Sequence, residues 1–146
     1  MIGAGRWRSN WRAVSPSGAV PVELPLGSRR RRRTLTRQIR ELPRGTPVTL
    51  RAQAPGARRR CRAFAADAAI AVDREYLAFP AAAAPAYLVE DAPAPARLFV
   101  DAVLVAPPRT TLRLPIDVGL ALLRALGGAR LVRMFAPGRI VVGRRM

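Results

Sequence analysis

Histidine and lysine are both missing from this chain, and cysteine occurs once. Each absence removes a class of chemistry. Without histidine there is no Ser-His-Asp or Cys-His catalytic set and no histidine ligand for a metal. Without lysine there is neither a Walker phosphate loop nor a Schiff base. The single cysteine, Cys61, excludes an internal disulfide and a zinc site built from cysteines alone, and agrees with a reducing compartment. No apolar stretch approaches the ~18 residues of a membrane-spanning helix. The longest uncharged run, Tyr76 to Val89, is broken by Pro80 and Pro85. Arg6, Arg8 and Arg12 precede no apolar segment of the kind a secretory signal needs, so the expected location is the cytoplasm.

What is present is enough apolar content, half of the 146 residues, to bury one core. The 14 prolines and 11 glycines divide the chain into short elements. All 26 basic residues are arginine. GC-rich coding explains this, since alanine runs such as Ala81–Ala84 share the bias; selection for planar, bidentate contacts to phosphate or carboxylate also explains it. Position says more than the total. Residues 1–62 hold 16 arginines against Glu23 and Glu41, a net of +14. Residues 63–146 hold 10 arginines against seven acids, a net of +3. A field so uneven attracts polyanions.

Residues 1–13 read as a flexible basic leader carrying Trp7 and Trp11, and residues 14–146 as a single α/β domain. A short edge strand is expected over 19–24, with Pro21 marking the edge. Ser28 is an N-cap for a helix through Leu42, its apolar stripe being Leu35, Ile39 and Leu42. Thr46 to Gln53 alternates as a half-buried strand, and residues 57–68 form a helix whose apolar side is Ala57, Cys61, Phe64, Ala65 and Ala68. A strand over 69–79 changes apolar parity near Tyr76, which implies a bulge or a fully buried end. Strand, helix and strand over some 34 residues make a βαβ-sized unit, and such units build parallel sheets. After a short extended piece at Tyr87–Val89, helices are expected over 94–106 and 115–126. The buried face of the second is Ile116, Leu120, Leu123 and Leu126. A short turn at 131–135 leads to a last strand, Arg139 to Gly143.

The candidate anion-binding residues are Arg29, Arg30, Arg31, Arg32 and Arg33 on the first helix and Arg58, Arg59, Arg60 and Arg62 on the second. Five positive charges in the first turns of a helix oppose its dipole and one another, so those turns are expected to fray in solvent, the simpler outcome, or to bind an anion that relieves the conflict. Trp7 and Trp11 are candidate stacking surfaces. No helix-turn-helix, zinc-finger or RNA-recognition signature is present, so binding would be non-specific and salt-sensitive. The alternative is a solvated basic face. Cys61, flanked by arginines, is either a small core residue or a thiol of lowered pKa, and its place on an apolar face favours the core. Asp73 with Glu75, and Glu90 with Asp91, read as solvated surface or as arginine partners in preference to catalytic or metal-binding carboxylates. Ile2-Gly3-Ala4-Gly5 resembles part of a dinucleotide loop but follows no strand. Residues 114–135 combine a leucine face with Arg124, Arg130 and Arg133; this suits a core helix, which is preferred, or a peripheral membrane contact.

Three short passages resemble the C-terminal half of a class I S-adenosylmethionine-dependent methyltransferase. Pro16-Ser17-Gly18-Ala19-Val20 resembles that family's Pro-Gly-Gly turn before its fifth strand, with serine for one glycine. Arg62 to Ile70 is similar to the passage into its sixth strand, and Arg139-Ile140-Val141-Val142-Gly143-Arg144 to its closing antiparallel strand. Residues 75–107 are similar to the family's variable acceptor-side insertions. The strand at 46–53 is extra. The resemblance implies an incomplete Rossmann-like domain, a small mixed sheet of about four strands with packed helices. It also implies that S-adenosylmethionine would bind only with a cofactor half that these residues do not supply. The resulting expectation is a methyltransferase-like domain not active alone, the alternative a polyanion-binding module with nucleic acid, an anionic surface or a protein as partner. No catalytic or metal-binding residue is assigned.

Overall fold

A computed structural model describes residues 7–25, 27–53, 56–104 and 113–146. The elements run β1 (Val20–Glu23), α1 (Arg29–Glu41), β2 (Pro47–Gln53), α2 (Ala57–Asp67), β3 (Ile70–Phe79), β4 (Tyr87–Glu90), α3 (Pro93–Leu98), α4 (Arg113–Ala125), α5 (Gly128–Phe135) and β5 (Gly138–Arg145). A 3-10 helix, Trp7–Val14, precedes them, and α3 widens into a π-helical turn, Phe99–Val103.

The α/β class is as expected, with five strands in the sheet, ordered β1-β2-β5-β3-β4. β1 and β2 pair in parallel; every other pairing is antiparallel. The strand-helix-strand unit β2-α2-β3 exists, but its two strands do not touch. β5 is inserted between them, antiparallel to both. Its sequence explains the central place: Gly138 to Gly143 are buried on both faces of the sheet, as a continuous apolar run requires. Gly143 lets β3 cross close by, since a Cβ there would collide with the carbonyl oxygen of Ala71.

The parity change in β3 has a clear cause. The register against β5 skips Asp73, between Val72 and Arg74. Ile70 and Val72 therefore share a face with Glu75 and Leu77. The end of the strand is also fully buried, with Leu77 and Ala78 inaccessible.

One face of the sheet carries the helices. Val22, Leu24, Val48, Leu50, Ala52, Ile70 and Val141 pack against Ile39 of α1 and against Ala57, Cys61, Phe64 and Ala65 of α2. Farther along the same face Leu77 and Val89 pack with Phe99, Val132 and Ala136 from the α3 and α5 side. Each fully buried side chain of this kind contributes about 1.5–3 kcal/mol. The other face is covered by Trp11 and Val14 of the 3-10 helix and by Ala82, lying on Ala78 and Ile140. Thr49, buried on that side, shares a 2.6 Å hydrogen bond with the hydroxyl of Ser15.

Three expectations need correction. Within the stretch read as a leader, residues 7–13 belong to the 3-10 helix and Trp11 is buried. Residues 131–135, read as a turn, belong to α5, because Gly127 (φ +77°) both ends the preceding helix and starts the next. The helix expected over 94–106 is regular only to Leu98 before the π-helical turn; residues 105–106 lie outside the described residues, as does the Ile2–Gly5 motif. No helix among the described residues is long and apolar enough to cross a membrane.

Candidate anion-binding surface

The rotation of α1 is set by Ile39, buried in the core, and by Leu35 and Leu42 packed beside it. Helical periodicity then turns Arg29, Arg30, Arg31, Arg33, Arg37 and Arg40 outward, all exposed. The helix begins at Arg29 despite the crowding of charge. Ser28 caps it, its hydroxyl accepting a hydrogen bond from the Arg31 amide at 3.3 Å.

The five arginines of residues 29–33 do not form one patch. Arg29, Arg32 and Arg33 join Thr36, Arg37 and Arg40 along a groove of about 590 Å³, where the only acid is Asp67 at the end of α2. Arg32 pairs with the Asp67 carboxylate at 2.6 Å, and Arg40 donates to its backbone carbonyl at 2.9 Å. Arg37 reaches Glu41 at 3.7 Å, both side chains largely in solvent. The guanidinium groups of Arg29 and Arg33 have no ion-pair or hydrogen-bond partner among the described residues. Arg30 and Arg31 flank a separate groove with Glu23, Gln38 and Gln53 at the carboxyl ends of β1 and β2.

The second cluster is dispersed as well. Arg60 donates to the backbone carbonyl of Gln53 at 2.5 Å, and Arg62 to Glu75 at 2.7 Å. Arg58 lies 3.7 Å from Asp91. Only Arg59 of the four is exposed and unpartnered among the described residues. The reason is position: α2 lies over the sheet face that presents Glu75, and long arginine stems reach down to the acids.

Those acids belong to a buried ionic network that no motif announced. Arg139 and Asp91, with side chains only 2% exposed, meet at 2.5 Å, and Arg139 also reaches Glu75 at 3.0 Å. Arg133 pairs with Asp91 at 2.5 Å and accepts, through its backbone carbonyl, a hydrogen bond from Arg139. Burial alone pushes the Asp91 carboxyl up. Hydrogen bonds from Arg133 and Arg139, and their charge, outweigh it and hold Asp91 below the usual carboxylate range. Of the two expectations for these acids, solvated surface or arginine pairing, Glu75 and Asp91 take the second. The network's one signal in the sequence is Arg139 immediately before the apolar run Ile140-Val141-Val142 of the central strand.

Two further candidates lose their proposed chemistry. Trp11 is buried, with the Arg51 guanidinium 4.4 Å over its ring, so it presents no free stacking face; the side chain of Trp7 lies outside the described residues. Burial pushes the Cys61 thiol up to about 12, against the smaller opposing pull of Arg139 and Arg60, so Cys61 is an inert core residue.

No family model matches the chain, and neither curated proteins nor solved structures yield a match.

Proposed function

We propose that this chain is a non-specific polyanion-binding module whose principal contact is the arginine face of α1, with the phosphate backbone of nucleic acid as its ligand class. The groove along α1 carries this reading: five arginines to one aspartate, with Arg29 and Arg33 unpaired among the described residues. Arg29, Arg33 and Arg37 recur every ~6 Å along the helix, a row suited to a polymer of negative charge. Among the described residues no aromatic side chain lines the groove, and Trp11 is stacked in the core. Affinity should therefore depend on salt and not on sequence.

Fluorescence anisotropy with labelled duplex DNA over a salt series tests this. Replacing both Arg33 and Arg37 by serine should weaken binding to all sequences alike and reduce the slope of log K against log salt by about 2. An unchanged slope and affinity in that variant would remove the proposal.

The methyltransferase-like reading draws support from one observation: the last strand is antiparallel, as the resemblance implies for a closing strand. One observation speaks against a cofactor site beside α1. S-adenosylmethionine carries a sulfonium cation, and the grooves beside α1 are lined by arginines. Calorimetric titration of the chain with S-adenosylmethionine tests for a cofactor site in these residues alone: heat of binding favours the second reading, and a flat trace removes its autonomous-enzyme version.

A further inference from the structure

α4 was expected to bury Ile116, Leu120, Leu123 and Leu126. The first three are only half-buried, and Leu126 is 72% exposed. No side chain of residues 114–125 is buried. Instead Leu114, Val118, Leu122 and Leu126, spaced four apart, are 79%, 58%, 56% and 72% exposed. Ala121 and Ala125, also exposed, fill the surface between them. An uncharged apolar arc of this size in water marks a contact surface.

Its surroundings indicate what covers it. Where the arc ends, the chain turns through Gly127 and Gly128 into α5, over a groove of about 690 Å³. Arg58, Arg97, Arg124, Arg130 and Arg133 line that groove. Arg58 and Arg133 share Asp91, and Arg97 and Arg124 share Asp101. The guanidinium of Arg130 has no partner among the described residues, so the groove keeps a positive excess. Arg124 is held in place there by the carbonyls of Val100, Asp101 and Leu104. Arg130 is exposed at its mouth. A second copy carries the same formal net charge of +17 and would set groove arginines against groove arginines, which disfavours self-association. An anionic bilayer supplies the opposite sign and attracts arginines held near its surface.

From this juxtaposition we infer that α4 lies in the interface of an anionic phospholipid bilayer, its apolar arc among the acyl chains and lipid headgroup phosphates in the groove at the α4–α5 junction. This surface is separate from the α1 groove and does not depend on the function proposed for it.

The test is co-sedimentation of the whole chain with vesicles of phosphatidylcholine, alone or mixed with phosphatidylglycerol. Partition should require phosphatidylglycerol. The double variant Val118→Ser/Leu122→Ser should lower it about tenfold with no loss of thermal stability, because both side chains are exposed. Arg130→Ser should weaken it further, whereas Arg33→Ser/Arg37→Ser should retain it. Absence of partition overturns the inference. So does partition that survives the α4 substitutions but disappears with the α1 substitutions, which would be attraction through the other face. A dimer in sedimentation velocity that the α4 substitutions dissociate also overturns it, by showing that a second copy covers the arc.

Discussion

The arginines of α1 and those around Arg139 are the same residue in opposite circumstances. On α1 most guanidinium groups stand in water, and Asp67 is the only acid in their groove. Around Arg139, four arginines converge on Glu75 and Asp91, beneath helices and against the sheet. The difference follows from where the acids are, since seven of nine fall after residue 62. A high local count of positive charge marks a binding surface only where the chain has not already supplied the anion. Arg58 to Arg62 illustrate this: four arginines in five residues, three of them engaged within the fold.

The largest effect should come from breaking the buried half of the comparison. Arg139→Ala leaves Asp91 buried with less than its full complement of donors, and loss of one partner of a buried pair costs about 3–5 kcal/mol. Urea denaturation should show this as a large fall in midpoint, against roughly 0.5 kcal/mol or less for Arg33→Ser. Near-equal effects would mean that the network is far more hydrated than its geometry implies. The same network sets an acid limit. The Asp91 carboxyl is depressed in the folded chain, so its contribution is full above the unfolded value of about 3.9 and is lost as pH falls through the folded value. Stability should drop as pH is lowered below about 4, less steeply in Asp91→Asn because that residue no longer titrates.

Much of the architecture was legible because it is local. Alternation places Val48, Leu50 and Ala52 on one face, and the parity change in β3 is a real bulge at Asp73. Periodicity put Ile39, Cys61 and Phe64 toward the core, where they are. Non-local facts were not legible. Nothing in Arg139 to Gly143 says that the last strand enters the middle of the sheet, although its doubly apolar character is what that position demands. Periodicity defined an apolar side of α4 but could not say whether anything covers it. The arginines of residues 29–33 were legible as a cluster. Their division between two grooves depends on the rotation of α1 about Ile39.

The smallest expected effect sharpens the comparison most, because its sign is unusual. Arg30 is exposed, lies in the first turn of α1, and lines the groove away from Asp67. That turn holds no acid, so Arg30 opposes both the helix dipole and its neighbours. Arg30→Glu should therefore stabilise the chain, by about 0.3–1 kcal/mol, while weakening attachment to DNA. Thermal melting at low salt measures the first effect and anisotropy the second. A gain in stability that fades as salt rises, with affinity lost in parallel, would show that the arginines on α1 are retained against the interest of the fold. If Arg30→Glu instead destabilises the chain, the face of α1 is structural after all and belongs with Arg139.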